Sequence, residues 1–130
     1  MAEIPDHLLY TEEHEWIEVE EEDVALVGIT DFAQGELGDI VFVELPQEGE
    51  TVTQGESLGT IEAVKTVEDM FAPLSGEVVA VNAALEDTPT LINSSPYQDG
   101  WILKIRMSNR DEMERLLSAA DYREQIGEGD

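Results

Sequence analysis

Lys65 stands between two strand-like arms, Gly59 to Val64 and Thr66 to Phe71. No Gly or Pro interrupts the middle, so a tight hairpin is expected to turn around Val64-Lys65-Thr66. A lysine there is pushed into solvent on stiff backbone, which presents its amine to a modifying enzyme at a fixed place. Acylation would remove its charge and extend its reach. Lys65 is also isolated: the other lysine, Lys104, sits in a regular strand pattern, and all four arginines lie in the last quarter of the chain. Taken alone, the local sequence fits a plain surface lysine paired with Glu62, Glu68 or Asp69 better than a special one. Other candidate chemistries fail on spacing. His14-Glu15-Trp16-Ile17-Glu18 lacks the second histidine of a zinc-protease helix, and His7 reads as incidental. Gly55-Glu56-Ser57-Leu58-Gly59 lacks the register and following helix of a phosphate loop, so turn glycines are the better account.

The elements that must hold Lys65 are short. Tyr10 and Glu15 to Glu20 alternate apolar and polar, and Val24 to Ile29 forms a second run beyond the polar turn Glu21-Glu22-Asp23. Asp31 and Gln34 have capping-box spacing, which predicts a helix cut short by Gly35 and Gly38. Asp39 to Leu45 is a strand stopped by Pro46. Thr51 to Thr53, Ser57 to Val64, Thr66 to Phe71 and Glu77 to Val81 follow, separated by turns, and Asn82 to Asp87 predicts one helical turn. Asn93 to Gly100 reads as a long turn whose Asn93-Ser94-Ser95 matches the glycosylation pattern by chance. Trp101 to Met107 gives the clearest strand, with Trp101, Leu103, Ile105 and Met107 on one face. Ser108 and Asp111 predict a helix start, Ser118 a second cap for Ala119 to Gln125, and Gly127 to Asp130 a frayed end. Short strands at close spacing predict a small all-β barrel or sandwich.

Composition narrows the partners. Thirty-one acids against six bases give a net charge of -25. Such a field repels phosphate backbones and anionic membranes and favours basic partner surfaces. It also fits adaptation to high salt, for which dialysis into low salt should lower the Tm. Apolar residues make up 42 %, enough for a folded chain, and no apolar run reaches bilayer length. With no cysteine, any sulfur redox chemistry must come from a cofactor. The acidic opening Met1 to Asp6 resembles neither a signal nor a transit peptide, so a prokaryotic cytoplasmic protein, or a mature chain with its leader removed, is expected.

Along nearly its whole length the chain resembles the H proteins of the glycine cleavage system. Tyr10-Thr11 and His14-Glu15-Trp16 match the family's opening, and Val27 to Asp31 with Ala33-Gln34 match its first helix. Leu37 to Pro46 matches almost continuously, and Glu62, Val64-Lys65 and Asp69 match the modification hairpin. Ser75 to Val78, Asn82, Ala84-Leu85, Pro96-Tyr97, Gly100-Trp101 and Leu116 to Ala119 complete the pattern. The resemblance implies a flattened barrel-sandwich hybrid of the lipoyl/biotinyl-domain kind: two antiparallel sheets, short helices and a helical C-terminus. It implies one carrier domain over 1–130, with a core at about 24–107 and C-terminal helices at about 109–126.

It further implies a lipoic acid cofactor joined to Lys65 as an amide, and a non-catalytic carrier. A pyridoxal-phosphate decarboxylase (P protein) would load aminomethyl onto a lipoyl sulfur. An aminomethyltransferase (T protein) would pass the carbon to tetrahydrofolate, and a flavin-dependent dihydrolipoyl dehydrogenase (L protein) would reoxidise the dithiol. A lipoylating enzyme is a fourth partner, and a monomer is expected. Glu15 and Asp69 become candidates for holding the loaded arm's cationic amine, the alternative being two solvent-facing acids. Ala63 and Thr66 replace the family's usual Ser and Ala beside the lysine, and Glu36 stands where some members have a histidine.

Rival readings have less support. Biotin domains flank their lysine with methionines, whereas Val64 and Thr66 stand here. Lipoyl domains of 2-oxo-acid dehydrogenases place an acid before the lysine and hang on long linkers. A hydrolase needs two marked carboxylates in a concave site, and the sequence suggests a small convex fold. An inert acidic interaction module and a lipoyl-relay donor for other enzymes remain alternatives.

Overall fold

The computed structural model describes residues 3–127. Among these described residues, nine strands form two antiparallel sheets. In chain order they are β1 (Leu9–Tyr10), β2 (Glu15–Val19), β3 (Val24–Ile29), β4 (Ile40–Glu44), β5 (Thr51–Val52), β6 (Ser57–Ala63), β7 (Val67–Phe71), β8 (Gly76–Val81) and β9 (Leu103–Met107). The larger sheet runs β1-β2-β3-β9-β8-β5 and the smaller β4-β6-β7. Four short α-helices are also found among the described residues, α1 (Asp31–Leu37), α2 (Ala84–Asp87), α3 (Leu91–Ser94) and α4 (Ala119–Ile126), together with two 3-10 segments. The expected barrel-sandwich hybrid is thus present, as two sheets and not as a closed barrel.

Alternation decides which face each strand buries. Val27 and Ile29, Leu103 and Ile105, and Val78 meet Ile40, Ile61 and Met70 in one core between the sheets. A second cluster packs Tyr10 and Trp16 against Ala119 and Tyr122 of α4. The Tyr10 and Tyr122 rings stack with centroids 4.7 Å apart. Gly28 lies opposite Trp16, and a Cβ there would come within 2.6 Å of the indole, so only glycine admits this packing.

Several local expectations shift. Thr30, not Asp31, caps α1, accepting a hydrogen bond from Ala33 N; Asp31 instead accepts from the Gln34 side chain. The turn at Glu21–Asp23 is a single 3-10 turn. The stretch read as a loop from Asn93 begins inside α3. Trp101 and Ile102 precede the strand they were expected to start, though Ile102 N still donates to Val27 O. Arg110–Arg115 forms a 3-10 helix capped by Asn109, displacing the predicted Ser108 cap. Ser118 does cap α4, and Gly127 closes that helix in a left-handed conformation. The rest of the expected fray, 128–130, lies outside the described residues.

Candidate functional site

The hairpin predicted around Lys65 is formed by β6 and β7, whose last register pair is Glu62 with Val67. Ala63 N donates to Thr66 O and closes the tip. Val64 N donates to Asp39 O at 3.0 Å, which ties the tip to the junction between α1 and β4. Lys65 is exposed, and its stem passes over Gly38, where a Cβ would sit 3.3 Å from Lys65 Cε. Gly38 has φ +81°, and that left-handed backbone is what calls for glycine, since the exposed lysine stem could shift away from a Cβ.

Asn93 holds this junction from the other side. Its Nδ2 donates to Gly38 O and Gln34 Oε1, and its Oδ1 accepts from Ile40 N. With its amide so engaged, Asn93 is a structural clamp. Sequence reasoning saw only a turn residue there; its one signal was an asparagine in a polar run, a type that often bonds nearby backbone.

Beside the hairpin lies a cleft of about 320 Å³ between the start of β2, α1 and β7. The chain is therefore not the convex body the sequence suggested. Ile29, Phe32, Leu37, Ile61, Met70 and Phe71 give it apolar walls, and Thr66, next to Lys65, lines it too. Glu13, Glu15, Glu36, Glu68 and Asp69 supply five acidic groups. Both sequence candidates, Glu15 and Asp69, thus border the same cleft, Asp69 from the outward row of the edge strand β7. A larger groove of about 700 Å³ between β4 and α2 contains none of the candidate residues.

The two acids differ sharply. Asp69 is exposed on β7, opposite Thr60. Glu15 is only 2 % exposed. Its carboxylate accepts hydrogen bonds from Thr11 Oγ1 at 2.6 Å and Phe71 N at 3.2 Å. Burial pushes its pKa up to about 7, with the nearby Glu13 charge adding to the rise and the two hydrogen bonds opposing it. The alternative of a solvent-facing acid is therefore wrong for Glu15, because the Thr11 turn and Phe71 cover it.

His14 contributes through its backbone. It adopts φ +73°, unusual for a non-glycine residue, and its carbonyl accepts from Thr30 N. Its ring Nδ1 lies 2.8 Å from the Tyr122 hydroxyl, which in turn lies 2.7 Å from Thr30 Oγ1. Burial lowers the His14 pKa against the pull of Glu13 and Glu36. Tyr122 thereby connects α4 to both His14 and the cap of α1. Sequence reasoning passed over this clamp, which joins positions 108 residues apart.

Two sheets enclosing a sandwich core, with one lysine on the hairpin of the smaller sheet, define a carrier domain of the barrel-sandwich hybrid class. The family described as Glycine cleavage H-protein matches residues 8–129. The glycine cleavage system H protein of Listeria innocua serovar 6a is 59 % identical over 119 residues, covering 92 % of this chain and 94 % of that relative. The one from Staphylococcus carnosus is 49 % identical over 125 residues, covering 96 % and 98 %. The crystal structure of the H protein from Mycobacterium marinum superposes with a TM-score of 0.89 at 43 % identity, covering 95 % of this chain and 99 % of that one. The chain belongs to the glycine cleavage H-protein family, the lipoyl carriers of the glycine cleavage system.

Proposed function

We propose that this chain carries its lipoyl group as an amide on Lys65 Nζ. It would tether that group for the glycine decarboxylase, the aminomethyltransferase and the dihydrolipoyl dehydrogenase, with no turnover of its own. The observation that carries the reading is the placement of Lys65: an exposed amine on a hairpin tip pinned through Val64 N to Asp39 O, beside an apolar-walled cleft. We read the whole chain as one carrier domain, acting as a cytoplasmic monomer.

The cleft fits such a group chemically. Apolar walls suit an aliphatic arm and exclude water from it, and the acids at the cleft suit a cationic end. The lipoyl disulfide, when present, supplies acceptance of the aminomethyl carbon and is restored by reoxidation of its dithiol. The protein's own residues do the holding. Glu15 keeps a proton on its carboxyl until about pH 7. Giving it up leaves a carboxylate, supported by Thr11 Oγ1 and Phe71 N, to face an ammonium. Asp69 adds a second negative charge at the mouth. Tethering raises the effective concentration of the arm at each partner.

Intact-mass measurement tests the reading. Incubated with lipoate, ATP and a lipoate ligase, the wild-type chain should gain one lipoyl mass and Lys65→Arg none. An unmodified wild type, or a modified Lys65→Arg, would overturn it.

A further inference from the structure

Five large apolar side chains stand exposed among the described residues, and four of them gather around the tip that carries Lys65: Val41 at 47 %, Phe42 at 54 %, Val64 at 76 % and Val67 at 57 %. The register explains the grouping. Phe42 pairs with Glu62, and Glu62 with Val67, so these three side chains form one row across the outer face of the small sheet. Glu44, Thr60 and Asp69 form the next row. Val41 falls in the irregularity between Ile40 and Phe42, which turns it outward, and Val64 directly precedes Lys65. The opposite face is accounted for by the core, where Ile40, Ile61, Ala63 and Met70 are buried.

We infer that this outer face is the docking surface of the enzyme that acylates Lys65, and that this enzyme presents an apolar centre rimmed by lysines and arginines. The inference rests on the reading of Lys65 as the acylated amine. Partners that act on the far end of an arm can dock anywhere within its reach. The acylating enzyme has no such freedom, because its activated carbonyl carbon must come within bonding distance of Nζ itself. It therefore covers the tip and the apolar row beside it. With an acyl adenylate as donor, Lys65 gives up one proton and its amine attacks the carbonyl. The bond from that carbon to the phosphate oxygen breaks, AMP leaves, and a second proton departs as the amide forms.

Charge points to the same partner. Asp39, Glu44, Glu62 and Asp69 are exposed around the patch, and none takes part in an ion pair among the described residues. Lys65 is the only lysine or arginine before Lys104. An apolar centre with an unneutralised acidic rim calls for a basic rim opposite.

Phe42→Thr, Val67→Thr and the double variant test this on the full chain, since threonine keeps strand preference at exposed positions. The probe is an ATP-dependent lipoate ligase with lipoate, and the readout is the rate of mass gain. Each single change should lower kcat/KM about tenfold, mainly through KM, and the double more. Raising salt should slow the wild type. Tm and the acetylation of Lys65 by a small succinimidyl ester should stay unchanged. A double variant lipoylated at the wild-type rate overturns the docking surface alone. A proportionate fall in small-reagent acetylation also overturns it, by locating the effect in the lysine. A wild type that the ligase leaves unmodified, or modifies elsewhere, sinks the underlying reading of Lys65.

Discussion

Lys104 lies in β9 of the large sheet, with its ammonium 3.3 Å from Glu20 and 5.8 Å from the centre of the Trp101 ring. Lys65 sits on the small sheet's hairpin with its stem over the backbone of Gly38. One lysine has its charge answered by neighbours, and the other is held by backbone while its head is left for something else. The surroundings repeat the contrast. Along β9 the outward row carries the charged Lys104 and Arg106, whereas the outward row beside the hairpin tip carries Phe42 and Val67. A stable sheet and an available sheet are built from the same pleat by changing what the outward row carries.

That comparison breaks most sharply at the lysines. Lys65→Arg should abolish lipoyl mass gain completely, while Lys104→Arg should leave it at the wild-type level. The next largest effect is on stability. Trp16 is fully buried and donates from Nε1 to Pro96 O at 3.0 Å. Trp16→Ala should cost about 3–5 kcal/mol in urea unfolding, against less than about 0.5 kcal/mol for Val64→Ala at the tip. A large loss from Val64→Ala would mean that the hairpin is part of the folding core.

Glu15 sharpens the same contrast through pH. An unfolded glutamate ionises near 4.5, whereas Glu15 in the fold keeps its proton to about pH 7. Between those values the folded chain holds the extra proton. This contribution is therefore fully present below pH 4.5, is lost as pH rises to 7, and then levels off, a change of about 3 kcal/mol. Glu15→Gln should flatten that limb, so the difference in Tm between wild type and variant should change from pH 5 to pH 8. The same difference at both would refute a buried, proton-holding Glu15. The smallest effect belongs to Lys104→Gln, which should cost under about 1 kcal/mol, and less as salt rises, because its pair with Glu20 is partly solvated.

The hairpin is legible in the sequence because local pattern suffices for it: two strand-like arms meet at one lysine, and their pairing is a neighbour's affair. Ser118 at the start of α4 is legible for the same reason. The cleft is not. Its walls come from β2, β3, α1, β6 and β7, elements far apart in the chain, and it is flanked by the left-handed backbone of His14, a conformation that residue type only weakly signals. Glu15 looks like any other acid in an acidic chain until Thr11 and Phe71 close over it. Thr30 and Asp31 are both good caps side by side, and the Tyr122 hydroxyl against Thr30 marks the one the fold uses. α3 spans only Leu91–Ser94, too short for helical periodicity to register. Resemblance supplied Glu15 and Asp69 as candidates; geometry supplied the difference between them.

Among the described residues lining the cleft, none comes from α4. Yet Tyr122 reaches from that helix to His14 and Thr30, and Arg123 clasps Asp6 and the carbonyl of Ile4. Unseating α4, for instance by a proteolytic nick between Ser108 and Ser118, would release the two turns that open β2 and α1 in one event. The helix farthest along the chain thus acts as a remote latch, and because it also covers Tyr10 and Trp16, damage to it should slacken the cleft and lower the Tm together.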